Sequence, residues 1–290
     1  GMRANGTTLK YDGAKDGTML DAMAVLGLRL SDIALNGNGK CGKAIRMNAV
    51  DSGHISGEWF FERVSIVGAD EGFALGDNGL DFCNSDCTFI DLAIDQCRVG
   101  FHTYHCQQLN YTFIRPEIGN CDIGWWFEQG GNVFATMLSG VGCGTVVRVD
   151  TGGINAGTYH FSAMRVESHL WKGKRPVLFE VRGETTLKID ALETTCIGLH
   201  PAPPDGDRLT PNFIVTDGAQ VTVDTSLISG NVAQVDRGGF IQFNNCRFRV
   251  ASDPRRIIYG KDAGYRLRDC QVFTDAGERI FIRDLTDETG

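Results

Sequence analysis

Proline is scarce in this 290-residue chain, which has 7 prolines beside 37 glycines, and no segment is of low complexity. This composition argues for a folded protein with many tight turns rather than a disordered one. No apolar run approaches the ~20 residues that a membrane-spanning helix needs. Dense Lys and Arg runs are missing as well, and the net charge is −8. We therefore expect neither a membrane nor nucleic acid as a partner, because binding to nucleic acid depends largely on cations that neutralise phosphates.

Signals for nucleotide binding and for export are also missing. No glycine-rich phosphate loop stands between a strand and a helix, so we expect no nucleotide cofactor. No secretory signal is present, but Gly1-Met2 is typical of the scar that tag removal leaves. Localisation is therefore left open.

What the chain does contain is a repeat. Three successive units read CTFIDLAIDQCRVGFHTY from Cys87, YTFIRPEIGNCDIGWWFE from Tyr111 and VFATMLSGVGCGTVVRVD from Val133. With the weaker units on either side, about ten coils recur at a period of roughly 20 to 35 residues, a range typical of solenoids and propellers. Each unit holds two or three short strands separated by Asn, Gly or Asp turns. The units are too short for the four strands of a propeller blade, so we predict an all-β parallel β-helix.

One short helix is predicted near the start. Asp16-Gly17-Thr18 offers helix-capping chemistry, and the segment from Met19 to Leu26, MLDAMAVL, is apolar and rich in helix formers. Stacked repeats need a cap over the open end of their core, which this helix would supply. We therefore divide the chain into an N-terminal segment with a capping helix, residues 1–27, and a β-helix domain, residues 28–290.

The ten cysteines are spread along the chain and lie within apolar strands. Cys97, Cys121 and Cys143 precede three similar segments, CRVGFHTY, CDIGWWFE and CGTVVRVD, and are predicted to form a column on neighbouring coils. Coils stack about 4.8 Å apart, a spacing that also permits disulfides. We favour reduced, packed thiols, because a free cysteine behaves as a small hydrophobe.

The repeat form of IGNCDIGWWF and IDQCRVGFHT resembles the coils of pectate lyases, polygalacturonases and phage tailspikes. The opening YDGAKDGTMLDAM, from Tyr11, is similar to the head of many tailspike and pectate-lyase-like chains, although the usual Asp-Asp-Thr is missing. The resemblance implies a right-handed parallel β-helix of the pectin-lyase-like superfamily over nearly the whole chain. It also implies a polysaccharide partner, a homotrimer in the tailspike case, and a secreted or virion-associated protein.

The resemblance leaves the activity open, because this fold hosts lyases, hydrolases, epimerases and inert fibres. The polygalacturonase motifs are absent, so the catalytic residues of that family are not carried over. No cofactor is predicted, except calcium if the protein is a lyase.

In this family the working face is the sheet that follows the Gly-apolar step. Alternation along its strands predicts that seven side chains point into the core: Phe101, Trp125, Phe127, Val147, Val149, Phe179 and Val181. The side chains between them, here called the outward row, are predicted to face solvent: His102, Tyr104, Trp126, Glu128, Arg148, Asp150, Glu180 and Arg182. A slip of one residue within a coil would exchange the two faces.

The outward row is the candidate site. The candidate catalytic groups are its carboxylates, Glu128, Asp150 and Glu180. The candidate substrate-binding groups are its other members, His102, Tyr104, Trp126, Arg148 and Arg182. Carboxylates about 5 Å apart on adjacent coils suit a retaining glycosidase. Carboxylates beside arginines also suit a lyase, in which a cation neutralises a uronate and a base removes the α-proton. Trp126 and Tyr104 offer flat apolar faces for a sugar ring.

A structural interpretation stays open beside this one. The pairs Arg148–Glu180 and Asp150–Arg182 would equally be ordinary opposite charges on a solvated ladder. A second row is interpreted as a solvated sheet face, with another groove as the alternative: Arg115, Glu117, Arg165 and Glu167. No metal site is predicted at His102, His105 and Cys106, because positions three apart on a straight strand point to opposite faces. The proline-rich segment from His200 to Pro211 is interpreted as a surface loop, with a wall of the cleft as the alternative.

Two functions of different classes follow. The first is a carbohydrate-active enzyme, a hydrolase or lyase that uses the outward row. The second is a non-catalytic β-helix module, such as a tailspike shaft or adhesin, that binds a glycan or another subunit. Outward carboxylates in a cleft would favour the first function, and a flat or covered face would favour the second.

Overall fold

The structure, a computed structural model, describes residues 6–79, 84–151, 157–167, 176–195, 211–230, 232–250, 258–261, 264–274, 277 and 279–287. Residues 200–210 of the proline-rich segment lie outside these ranges. Within the ranges the chain forms strands and no helix. The strands are β1 Thr7–Lys10, β2 Thr18–Met23, β3 Arg29–Asn48, β4 Ser56–Gly57, β5 Phe60–Leu75, β6 Asn84–Ser85, β7 Cys87–Ile90, β8 Ala93–Asp95, β9 Val99–Thr103, β10 Leu109–Ile114, β11 Glu117–Gly119, β12 Ile123–Phe127, β13 Gly131–Thr136, β14 Ser139–Val141, β15 Thr145–Asp150, β16 Thr158–Glu167, β17 Phe179–Arg182, β18 Thr186–Thr195, β19 Phe213–Thr216, β20 Gln220–Asp224, β21 Leu227–Ser229, β22 Ala233–Val235, β23 Phe240–Asn244, β24 Arg247–Val250, β25 Ile258–Tyr259, β26 Gly264–Thr274 and β27 Arg279–Asp287.

The predicted all-β parallel β-helix is confirmed. One sheet holds 25 strands, and its pairings are parallel except for the last, between β26 and β27. Each parallel pairing joins a strand to the strand one coil further along, 20 to 34 residues later. The ladder that carries the outward row can be followed through Leu20, Ile45, Phe73, Phe101, Trp125, Val147, Phe179, Phe213, Ala233 and Ile258.

The helix predicted over Met19 to Leu26 is wrong. Residues Thr18–Met23 form β2, which pairs parallel with β3 so that Leu20 lies opposite Ile45 and Ala22 opposite Met47. Helix propensity is a weak preference, worth tenths of a kcal/mol per residue, and tertiary context routinely overrides it. Here the context is the backbone edge of β3, whose hydrogen-bonding groups β2 satisfies.

The interior is a column of stacked aromatic rings. Phe89 lies parallel to Phe61 and to Phe113, at centroid distances of 5.1 and 4.7 Å. Phe73 and Phe101 meet these rings edge-on, at 5.4 and 5.1 Å. Parallel coils superimpose equivalent positions, so one aromatic position per repeat produces a ladder, and such pairs contribute about 0.5–1.5 kcal/mol beyond burial.

The cysteines also stack, as predicted. The eight cysteines in the described ranges are free, and all but Cys106 are buried. Hydrogen bonds to the sulfurs of Cys143 and Cys97, together with burial, raise the pKa of the Cys121 thiol between them. A hydrogen bond to Cys270 and burial raise the pKa of Cys246 in the same way. The predicted column is therefore confirmed, while its redox state stays a prediction.

In the part of the chain described here, no helix has the length and hydrophobicity needed to cross a membrane.

Candidate functional site

The predicted register of the outward row is confirmed. Trp126 on β12 pairs with His102 on β9 and with Arg148 on β15, and Arg148 pairs with Glu180 on β17. Each of the side chains predicted to point inward is at most 1% exposed: Phe101, Trp125, Phe127, Val147, Val149, Phe179 and Val181. The outward side chains of four successive coils therefore share one face.

A stack of planar groups runs along this face. The His102 ring lies between those of Tyr104 and Trp126, at centroid distances of 3.7 and 4.2 Å. The Arg148 guanidinium lies on Trp126, 5.2 Å from the ring centroid. Trp126 therefore packs against His102 and Arg148, and its use as a flat face for a sugar ring stays a prediction. His102 points outward but is only 2% exposed, because its neighbours cover it.

A buried carboxylate that the sequence analysis missed lies beside this stack. Glu71 on β5 is 3% exposed, and its Oε1 accepts hydrogen bonds from Tyr104 Oη at 2.6 Å and Arg98 Nη2 at 3.0 Å. His102 Nδ1 lies 3.4 Å from the same oxygen. The sequence signal was the shared Gly-Phe step, which aligns Glu71-Gly72-Phe73 with the coil that carries His102.

Burial and partners act in opposite directions on Glu71. Burial disfavours its charge, but hydrogen bonds from His102 and Tyr104 and the nearby charge of Arg98 outweigh burial, so the pKa of Glu71 is lowered. Burial and the hydrogen bond to Glu71 raise the pKa of Tyr104. Tyr104 therefore remains a protonated donor to an ionised Glu71.

His102 connects this buried carboxylate to an exposed one. Its Nε2 lies 3.1 Å from Oε2 of Glu128, whose side chain is 44% exposed. An imidazolium donates from both nitrogens and satisfies Glu71 and Glu128 together, whereas a neutral imidazole donates only one hydrogen bond. The contacts from Glu71 to His102 and from His102 to Glu128 therefore connect a buried carboxylate to an exposed one.

The next two coils carry a network of opposite charges. Arg148 lies 3.0 Å from Asp150 and 3.0 Å from Glu180, while Arg182 approaches the same two carboxylates at 3.7 and 3.8 Å. Trp126 Nε1 donates to Asp150 Oδ2 at 3.1 Å. Asp150 and Glu180 are therefore paired with arginines, whereas Glu128 contacts His102.

Hydrogen bonding within this network is incomplete. Arg148 Nε, Glu180 Oε2 and Glu71 Oε2 are buried and have no aligned hydrogen-bond partner in the described ranges. The ion pairs of Arg148 are short, but their angles are not those of hydrogen bonds. Only seven side-chain atoms of the described residues are in this state, and three of them belong to this face. Such atoms are rare in folded proteins, since each costs free energy.

A second charged cluster extends the face towards the N-terminus. The carboxylate of Asp77 accepts hydrogen bonds from Lys43, from Arg46 Nε at 2.8 Å and from Asn48 Nδ2 at 2.6 Å. Burial disfavours the charge on Asp77, but these donors outweigh it and lower its pKa. Arg46 lies in the column of His102, with Ala74 between them.

The carboxylates of the outward row do not fit calcium as they stand. Calcium takes six to eight oxygen ligands, whereas the arginines beside Asp150 and Glu180 already neutralise them and would repel a cation. His105 Nδ1 lies 3.7 Å from Cys106 Sγ in the turn after β9. Within the described part of the chain, no group of three or more His, Cys, Asp or Glu side chains is arranged to hold a metal.

The arginines of the second row are ion-paired. Arg115 Nε lies 2.8 Å from Asp91, and Arg165 Nη2 lies 2.7 Å from Glu167. Arg115 and Glu117 are exposed and lie on other strands than the outward row. They therefore offer matched control positions for it.

Neither a comparison with protein-family models nor a search of the curated proteins finds a match to this chain. The class is accordingly defined by the fold: an all-β parallel β-helix protein. One of its faces carries the aromatic and ion-paired row described above.

Proposed function

We propose that the protein binds a polysaccharide along the outward row, with the sugar chain crossing successive coils. The observation that carries this proposal is the row of polar and aromatic side chains that four successive coils present on one face. Polar groups of such a row can hydrogen-bond sugar hydroxyls, which both donate and accept.

A repeating ligand also suits a repeating surface. Each of four successive coils presents one polar or aromatic side chain in the same column: His102, Trp126, Arg148 and Glu180. Successive sugar units can therefore meet side chains of this row at regular spacing, although the four side chains differ in chemistry. Because His102 and Arg148 pack on Trp126, we expect hydrogen bonds rather than ring stacking to hold the sugar. The proposed polysaccharide is neutral or acidic.

We further propose that the protein cleaves the polysaccharide, and Glu128 is the first candidate for a catalytic residue. Glu128 is well exposed, and His102 contacts one of its oxygens. In a hydrolase, one of Glu128 and Asp150 protonates the glycosidic oxygen while the other attacks the anomeric carbon. In a lyase, Arg148 or Arg182 neutralises the uronate, and a carboxylate removes the α-proton.

A second candidate is a non-catalytic module that binds a glycan or another subunit, as a tailspike shaft or adhesin does. The ion pairs of Asp150 and Glu180 with Arg148 favour it, because they occupy carboxylates that a hydrolase would use. This candidate includes the homotrimer and the virion-associated or secreted setting that the fold resemblance implies.

The test is a panel of bacterial and plant polysaccharides, scored for binding by gel retardation and for cleavage by reducing ends and unsaturated products, with and without calcium. Glu128→Gln is compared with Glu117→Gln, the same change on another strand. An enzyme predicts that Glu128→Gln lowers turnover about 100- to 10,000-fold while Glu117→Gln does not. Binding without products supports the second candidate. No binding to any polysaccharide, with no products, contradicts the proposal.

A further inference from the structure

The sheet that carries the second row continues through β21, β24, β26 and β27. The strand pairings place its outward side chains in two columns: Leu227, Arg247 and Gln271 in the first, and Ser229, Arg249, Phe273 and Arg279 in the second. The residues between the columns point into the core, where Ile228, Phe248 and Val272 are buried. Because β24 has a neighbouring strand on each side, its outward side chains belong to a continuous face.

Three arginines of this face are exposed: Arg247, Arg249 and Arg279. Arg247 and Arg249 are two residues apart on β24, which separates their Cα atoms by about 6.6 Å. Arg249 and Arg279 lie on the two strands that flank Phe273, and neighbouring strands are about 4.8 Å apart. All three guanidinium groups are therefore within reach of one bound chain.

The charges of these arginines are not neutralised. In the part of the chain that the structure describes, none of the three forms an ion pair. Earlier on the same sheet, by contrast, Arg165 lies 2.7 Å from Glu167. Glu193 is separated from Arg247 by Leu227. Like charges on neighbouring positions of a sheet repel each other, and an anion bound between them would remove that repulsion.

Two contacts hold Arg279 in place. Its Nη2 donates a hydrogen bond to Gln271 Oε1 at 2.8 Å, and its guanidinium lies on the ring of Phe273, 5.4 Å from the centroid. Both partners are uncharged, so neither contact neutralises the arginine. A guanidinium has five N–H donors in a planar fork that matches carboxylate and sulfate oxygens, so Arg279 retains donors for such a group.

We propose that this arginine face, formed by Arg247, Arg249, Gln271, Phe273 and Arg279, binds the carboxylate or sulfate groups of an acidic polysaccharide. Charged groups that recur along a polymer suit cations that recur on successive coils. Sites for single-stranded nucleic acid present free rings for stacking bases, whereas Phe273 carries Arg279 on its ring. Binding to a membrane surface requires a broad apolar face beside the cations. The arginine face is separate from the outward row and does not rest on the function proposed for that row.

Titration calorimetry at several salt concentrations tests the arginine face with two probes: heparin, which carries sulfates and carboxylates, and polygalacturonate, which carries carboxylates alone. Wild type is expected to bind, with a Kd that rises with salt because exposed charges are screened. The double variant Arg247→Gln/Arg249→Gln is expected to raise the Kd at least about tenfold and to weaken its dependence on salt. Arg165→Gln, the same change at an ion-paired arginine of this sheet, should bind as wild type. Circular dichroism verifies the fold of each variant, which exposed substitutions rarely disturb.

Arg182→Gln separates the arginine face from the outward row. Binding that is weakened in the double variant supports the inference, whatever Arg182→Gln does. If Arg182→Gln weakens binding and the double variant does not, the inference is overturned while the function proposed for the outward row stands. Wild type that binds neither polymer, or that binds duplex DNA or phosphatidylserine vesicles in preference to both, would also overturn it.

Discussion

The imidazole of His102 lies flat on the indole of Trp126, with centroids 4.2 Å and planes 10° apart. Together with Arg148 on the indole, this contact turns an outward histidine into a buried one. The outward row is consequently a packed structure in its own right and contributes to stability as well as to any ligand site.

Removal of the indole should therefore destabilise the protein. Trp126→Ala uncovers His102 and leaves Arg148 without its aromatic neighbour, and we expect the free energy of unfolding to fall by about 1–3 kcal/mol. Trp126→Phe retains a ring and should lose less. Urea unfolding followed by circular dichroism measures both variants. Equal stability of Trp126→Ala and wild type would show that the stack contributes nothing.

The buried Glu71 predicts that the stability of the protein depends on pH in the acid range. Its pKa in the folded chain is lowered from the ordinary 4.5, so its charge stabilises the fold above that pH, and this contribution is lost as the pH falls through the lowered pKa. We expect the free energy of unfolding of wild type to decrease below about pH 4.5, and Glu71→Gln to flatten part of that decrease. Glu117→Gln, on the surface, should keep the wild-type slope. If the free energy of unfolding of Glu71→Gln decreased with pH as steeply as that of wild type, the stabilising role assigned to the charge of Glu71 would be refuted.

Burial of the thiol columns predicts their reactivity. Among the eight described cysteines of the native protein, Cys106 should react first with a thiol reagent, because the other seven are buried. In denaturant without reductant, at least the eight described cysteines should titrate as free thiols. A titration that finds few thiols after denaturation would mean that the columns are disulfide-bonded.

The aromatic column predicts that loss of a stacked core ring destabilises the protein more than loss of an exposed ring. Phe89→Ala removes a ring that stacks on Phe61 and Phe113, and we expect a loss of about 3–5 kcal/mol. Phe134→Ala deletes the same side chain where it is 40% exposed, and should cost well under half as much. Chemical denaturation of both variants provides the comparison, and similar losses would argue against the column.

The sequence predicted those features that depend on backbone register alone. The Gly-aromatic step aligned the coils, so the inward positions of Phe101, Trp125 and Val147 followed from alternation. The burial of His102 depended on side-chain conformations on neighbouring coils, which register does not determine. Glu71 was missed although the Gly-Phe step aligns its coil with that of His102.

The error at the N-terminus has a different physical origin. The segment Met19 to Leu26 was interpreted through local helix propensity, whereas pairing of β2 with β3 decides its structure. Local preferences of tenths of a kcal/mol per residue lose to a ladder of backbone hydrogen bonds together with burial.

Calorimetric titration of a polysaccharide from the panel into two arginine variants tests the central claim most directly. Arg182→Gln alters the outward row at a half-exposed position, and Arg115→Gln alters an ion-paired, exposed arginine on another strand. The account predicts that Arg182→Gln weakens binding at least about tenfold, since arginines are common binding hot spots, while Arg115→Gln binds as wild type. Equal affinities of the two variants and wild type would contradict glycan binding by this face.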